Sequence, residues 1–191
     1  MMSFSPYSPE NTLKTFITFR VMGDSLNPDE ITQILKVVPS VAYRKGEPYS
    51  AGARAGTLSG KTGVWMISTE RKPDRGIDSK DFADHLNAIL AVFALDQLAA
   101  LIEEHAKFRF PTLADLMPGI VPVPTPLLRG RLAQLQPALQ QRGLSATLAC
   151  YWYGVPGATP PSIPEWLLAV FRQIPISVEQ NFDTEAAALT A

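Results

Sequence analysis

The side chains best equipped for chemistry in this chain sit in two short segments, Gly23-Asp24 and Arg44-Lys45-Gly46-Glu47. Two adjacent cations beside a glycine and a carboxylate could receive an acidic ligand or the acidic patch of a protein partner. Asp24, Asp29 and Glu30 lie close in sequence, and paired carboxylates can do acid–base work. Asp29 and Glu30, however, fall in the first turn of a predicted helix, where the helix dipole favours negative charge anyway, so we read them as structural. The stretch from Tyr43 to Arg75 holds seven Lys/Arg against three Asp/Glu. Its cations Arg54, Lys61, Arg71, Lys72 and Arg75 extend the basic turn into a basic surface, bordered by Tyr43, Tyr49 and Trp65. The expected binding residues are therefore Arg44, Lys45, Glu47, Trp65 and Asp24, and no catalytic residue is expected.

Other constellations fail on spacing or context. Ala55-Gly-Thr-Leu-Ser-Gly-Lys-Thr62 fits a relaxed phosphate-loop pattern, but that loop needs a helix after it to offer N–H groups to phosphate. Here the β-like Val64-Trp-Met-Ile67 follows, so the segment reads as a glycine-rich hairpin loop. Metal sites need clustered ligands, and the chain has only His85, His105 and a lone Cys150 on a predicted core strand. There is no G-x-S-x-G elbow, and a cysteine on a core strand lacks the electropositive, exposed setting of a reactive thiolate. No metal and no cofactor are expected.

Composition narrows the class further. The net charge of −1 gives no global attraction to nucleic acid or anionic membrane. A single cysteine excludes an internal disulfide framework. The N-terminal residues show no basic segment followed by an apolar run. The apolar stretch near Ala88–Ile102 is broken by Asp96 and Gln97, short of the roughly 18 residues a membrane span needs. A soluble, cytoplasmic protein is expected, with no membrane or nucleic-acid partner, a protein partner instead, and an oligomeric state the sequence leaves open.

The elements that must position these residues follow from periodicity. Thr15–Val21 alternates Ile17, Phe19 and Val21 with Thr18 and Arg20, the signature of a half-buried strand. Asn27 then caps a helix with Pro28 at its first position and Glu30 completing a capping-box-like pair. Ile31, Ile34, Leu35 and Val38 form its stripe, and Pro39 stops it. Gly63–Ser68 reads as a strand with Trp65 and Ile67 facing away from Val64 and Met66, flanked by loops at Ser50–Gly60 and Glu70–Gly76. Asp78–Ser79 opens a helix carrying Phe82, Leu86, Ile89, Leu90 and Phe93, and the pattern continues through Leu98, Leu101 and Ile102.

Leu127–Arg142 reads as a helix kinked at Pro137 and stopped by Gly143. Leu144–Trp152 alternates Leu144, Ala146, Leu148, Cys150 and Trp152 on one face. Ser162-Ile-Pro-Glu165 is a second capping box, opening a helix with Trp166, Leu167, Val170 and Phe171 inward. Ile176–Phe182 is a last strand. The two strand-then-helix units echo each other weakly. Together these elements predict an α+β two-layer sandwich, with an antiparallel or mixed sheet and helices on one face, ferredoxin-like with an extra strand–helix unit. One domain over residues 13–183 is expected, with a proline-rich insertion at 95–126 and loose tails at 1–12 and 184–191.

Gly23, Asp24, Leu26, Pro28, Glu30 and Ile31 match a G-D-x-L-x-P-x-E-I helix start. Pro39, Ser40, Ala42, Arg44, Lys45, Gly46 and Glu47 match a P-[ST]-x-A-x-[RK]-K-G-E stretch. In these motifs, and more loosely in Thr62–Ser68 and the C-terminal strand and helix, the chain resembles the bacterial family known as domain of unknown function 4279. The resemblance implies no activity, since the family has none established. With no catalytic cluster found, the expectation is a non-enzymatic protein-binding module, of the partner-neutralising (immunity) kind. The alternative is a ligand-binding or enzymatic domain using a cleft beside the Arg44–Glu47 turn.

Overall fold

A computed structural model describes residues 7–49, 58–95 and 131–184. Its centre is β1 (Thr12–Gly23), whose alternation works as the sequence requires: Ile17, Phe19 and Val21 are fully buried, while Phe16, Thr18, Arg20 and Met22 are half-buried on the opposite face. α1 (Pro28–Leu35) follows, then β2 (Val41–Tyr43), the small hairpin β3 (Pro48–Tyr49) and β4 (Leu58–Ser59), and β5 (Gly63–Ser68). α2 (Phe82–Phe93), α3 (Arg131–Arg142), β6 (Ser145–Gly154), α4 (Glu165–Gln173) and β7 (Ile176–Asp183) complete the described elements.

The five-stranded sheet has the order β2-β5-β1-β6-β7. Its pairs are antiparallel except β6–β7, which is parallel. The α+β class is as expected. The ferredoxin-like arrangement is not confirmed: there both strand–helix–strand units are split by another strand, whereas here β5 separates β1 from β2 but β6 and β7 are direct neighbours.

One face of the sheet carries the core. Ile17, Phe19 and Val21 of β1, Trp65 and Ile67 of β5, and Ala146, Leu148 and Cys150 of β6 join the inward stripes of all four described helices in one cluster. Phe19 meets Trp65 and Phe93 edge-on, at 6.3 and 4.9 Å between centroids, and Phe93 meets Phe171 at 5.9 Å. Such pairs add about 0.5–1.5 kcal/mol each beyond burial. Every alternate residue from Leu144 to Trp152 is buried, as predicted.

Several local expectations are corrected. α1 starts as predicted, with Asn27 Oδ1 accepting from the Asp29 N–H at 3.3 Å, but it ends at Leu35 because Lys36 turns left-handed (φ 53°). Val38 consequently leaves the stripe and is 85% exposed. Glu30 does not close a capping box; it pairs with Arg142 of α3 at 2.7 Å. α2 begins after Asp81, whose carboxylate accepts from the Ala83 N–H, not at Asp78–Ser79. It ends at Phe93, where Ala94 (φ 57°) lets the Leu95 N–H return to the Leu90 carbonyl. α3 carries Pro137 on its exposed side and stops at Gly143 (φ 60°), where the Leu144 N–H reaches the Leu139 carbonyl at 2.9 Å. Ser162 does not cap α4, which starts behind Pro164. The loop expected at Ser50–Gly60 contains β4, paired with β3.

Part of the expected N-terminal tail is described. Tyr7 packs against the core, its hydroxyl accepts from the Phe82 N–H at 2.9 Å, and Pro9–Asn11 forms a 3-10 turn leading into β1. The remaining tail residues 1–6 and 185–191, nearly all of the 95–126 insertion with the expected helical continuation through Leu98, Leu101 and Ile102, residues 127–130, Arg54, His105 and the Trp166 side chain lie outside the described residues.

Candidate functional site

The structure brings Asp24, Arg44, Lys45 and Glu47 together, but against one another. β5 pairs with both β1 and β2, so Gly23 at the end of β1 faces Gly63, and Tyr43 at the end of β2 faces Val64. This register carries the Arg44–Glu47 turn to the start of α1. Arg44 Nη2 donates to Asp29 Oδ2 at 2.8 Å and to Asn27 Oδ1 at 3.0 Å. The Arg44 N–H donates to Glu47 Oε2 at 2.7 Å, closing the turn on itself. Lys45 Nζ forms an ion pair with Asp24 Oδ2. Its hydrogen bond, followed by one from Thr62, holds the Asp24 carboxyl below the usual carboxylate range. Gly46 (φ 82°) makes the tight turn possible, its N–H bonding to the Gly60 carbonyl at 2.8 Å.

The corner is also tight in its backbone. A side chain on Gly63 would stand 2.9 Å from both the Gly23 carbonyl oxygen and Leu26 Cβ. Leu26, Pro28 and Ile31 are buried beneath it. Ser40 Oγ accepts from the Ser68 N–H at 3.2 Å and fixes β2 at the sheet edge. Nearly every signature residue thus has a local architectural task. Of the cations expected to extend the basic surface, Arg71 also pairs, with Asp78.

Trp65 is not on that surface. Sequence proximity placed it at the border of the basic turn, but it is fully buried, and its indole N–H donates to Thr32 Oγ1 of α1 at 2.9 Å. Tyr43 and Tyr49 do sit beside the turn and stack on each other at 4.7 Å. Burial first, and the neighbouring Tyr49 second, raise the Tyr43 phenol above its ordinary value.

The remaining candidates resolve into structure. Lys61 and Thr62 of the phosphate-loop-like segment lead into strand β5, not a helix. His85 is buried, and because the Ser79 carbonyl can only accept, Nε2 carries the proton there (3.0 Å). Nδ1 lies 2.8 Å from the Thr69 hydroxyl oxygen, which accepts from the Ile17 N–H at 2.8 Å and lies 3.2 Å from the Ile17 carbonyl. Burial pushes the Cys150 thiol up to about 12, which removes its thiolate at neutral pH. Among the described residues no group of three or more His, Cys, Asp and Glu side chains is arranged to hold a metal ion. No described helix is long and apolar enough to cross a membrane.

Clefts open between the described elements. One, of about 500 Å³, lies between the β6 and β7 starts and the end of α4, lined by Ala146, Phe171, Arg172 and Ile174. Another, of about 300 Å³, lies between β5 and α2, lined by Val38, Ile67, Arg75, Ile77, Ala88 and Val92. Neither is lined by Arg44, Glu47 or Trp65.

What sequence reasoning missed is the aromatic and apolar character of the sheet's second face. The described helices pack on the other side. Phe16 of β1 and Tyr151 of β6 stack at 4.5 Å with planes 14° apart, and the Lys14 ammonium lies 5.0 Å from the Phe16 ring. Met22, Met66 and Tyr153 are half-buried on the same face. The available signal was Phe16, Arg20 and Met22 alternating on the supposedly solvent side of β1, which is unusually apolar for an exposed face.

No curated protein and no solved structure matches this chain. The profile of one family, described as a domain of unknown function (DUF4279), matches residues 12–107, just over half of the 191 residues, and spans β1 through α2 with the whole of the clasped corner. The chain belongs to the DUF4279 family.

Proposed function

We propose that this protein is a non-enzymatic protein-binding module whose working surface is the open face of the sheet, not the basic turn. The observation that carries the reading is the contrast in partners. The turn's ionic groups are satisfied within the chain, whereas the face built by Phe16, Met22, Met66, Tyr151 and Tyr153 has no described helix over it. Aromatic residues, Met and Arg are the types enriched where proteins meet, and a two-layer fold with one uncovered, half-apolar sheet face is suited to accept a third layer. A partner-neutralising role of the immunity kind would use such a face.

Site-specific photo-crosslinking in the producing organism tests this. A crosslinker at Tyr153 on the open face should yield a discrete protein adduct, one at the exposed Asn87 of α2 should not, and Met66→Asp should abolish the Tyr153 adduct. No adduct from Tyr153, or equal adducts from both positions, would refute the reading.

A further inference from the structure

We propose that the open sheet face receives an amphipathic helix of a partner protein, and that Arg20 holds a carboxylate at the centre of that helix's apolar stripe. This rests on the protein-binding reading above and names the partner's chemistry. Arg20 stands on the central strand, third of five across the sheet. Met66 faces it from β5 and Thr147 from β6, and the row continues to Val41 on β2 and Ser177 on β7. It is half-buried and has no hydrogen-bond or ionic partner among the described residues. Lys14 on the same strand differs, being paired with Glu70. Around it the face mixes Met22, Met66 and Val41 with Thr18, Ser68 and Thr147. A guanidinium partly withdrawn from water offers a planar fork of donors matched to a carboxylate, and Arg is among the residue types that most often dominate an interface.

The shape of the face selects the occupant. An extended peptide would bind a sheet edge through main-chain hydrogen bonds, whereas the face of a sheet takes a further layer, and a helix laid across it can bring one apolar stripe with a single carboxylate to Arg20. A second copy of this chain related by a two-fold axis centred on the face would set Arg20 against Arg20. A nucleic acid would meet Glu179, which β7 presents on this same face. A helix with apolar residues at three-to-four spacing, one Asp or Glu among them, avoids both conflicts.

The test is selection of a displayed library of random 16-residue helical peptides against the full-length protein, repeated on Arg20→Glu. Peptides retained by the wild type should carry Asp or Glu flanked by apolar residues three or four positions away, and should bind Arg20→Glu at least about tenfold more weakly. Selection on Arg20→Glu should turn to Lys or Arg at that position. If Arg20→Glu does not fold by circular dichroism, Arg20→Gln replaces it and should lose the acidic preference. Apolar peptides selected without charge preference, yet blocked by Met66→Asp, would overturn the role of Arg20 and leave the protein-binding reading standing. Failure to select any peptide blocked by Met66→Asp would overturn both. A concentration-dependent dimer broken by Met66→Asp, or oligonucleotide binding lost in Arg20→Glu, would also overturn the proposal.

Discussion

At the corner between β1 and β2 every charged residue of the family signature has a partner, whereas at the centre of the open sheet face Arg20 has none among the described residues. Both regions contain cations beside aromatic rings, and sequence alone ranks the corner higher because its charges are adjacent and turn-like. The structure reverses the ranking. Charges that answer one another hold segments together, and a half-buried charge left unanswered is the one that can still gain from a ligand. A motif can therefore mark a family through its architecture, and on the reading proposed above the binding surface is elsewhere, on the open face of the same sheet.

The contrast is broken most severely at Trp65. If Trp65 is core, Trp65→Ala should cost about 3–5 kcal/mol in urea unfolding. A surface binding residue would cost less than about 1 kcal/mol. Finding the small value would return Trp65 to the basic surface.

Gly63 sharpens the corner's half of the comparison. With backbone and Leu26 already at 2.9 Å from the site of a new side chain, Gly63→Ala should destabilise by about 1–3 kcal/mol. An unchanged denaturation midpoint would show that the corner is not packed as described.

The smallest effect concerns Asp24. Its folded pKa is depressed by Lys45 and then Thr62, so its contribution is present above the ordinary carboxylate value of about 3.9 and fades as pH falls through the lowered one. Below about pH 4 the wild type should therefore lose stability more steeply than Asp24→Asn. Parallel acid limbs for the two proteins would contradict the Lys45 pairing.

How much of this was legible from residues varies with the range of the interaction. The Asn27-Pro28 helix start and the alternation from Leu144 to Trp152 were readable because capping and strand periodicity are local. The end of α1 was not: Pro39 signals a stop, but Lys36 had already turned left-handed, so Val38 only mimicked the stripe. Trp65 was assigned correctly to the face opposite Val64 and Met66, yet wrongly to the turn's surroundings. Its neighbour across the sheet, Ala42, lies on the core side, away from Tyr43. The ion pairs of Arg44 and Lys45 depend on β5 bridging two segments some twenty residues apart in the chain, and no local pattern encodes that bridging. Arg20 was read as the ordinary polar side of a half-buried strand, since the alternation of β1 marks the uncovered face but not whether a charge on it finds a partner.

The most direct test of the account is a side-by-side measurement of partner capture for Arg44→Ala/Lys45→Ala and Met66→Asp, with thermal unfolding recorded for both. The corner variant should melt earlier and still retain the partner, while Met66→Asp should keep its melting temperature and release it. Retention by Met66→Asp, with loss from the corner variant while it remains folded, would contradict the account.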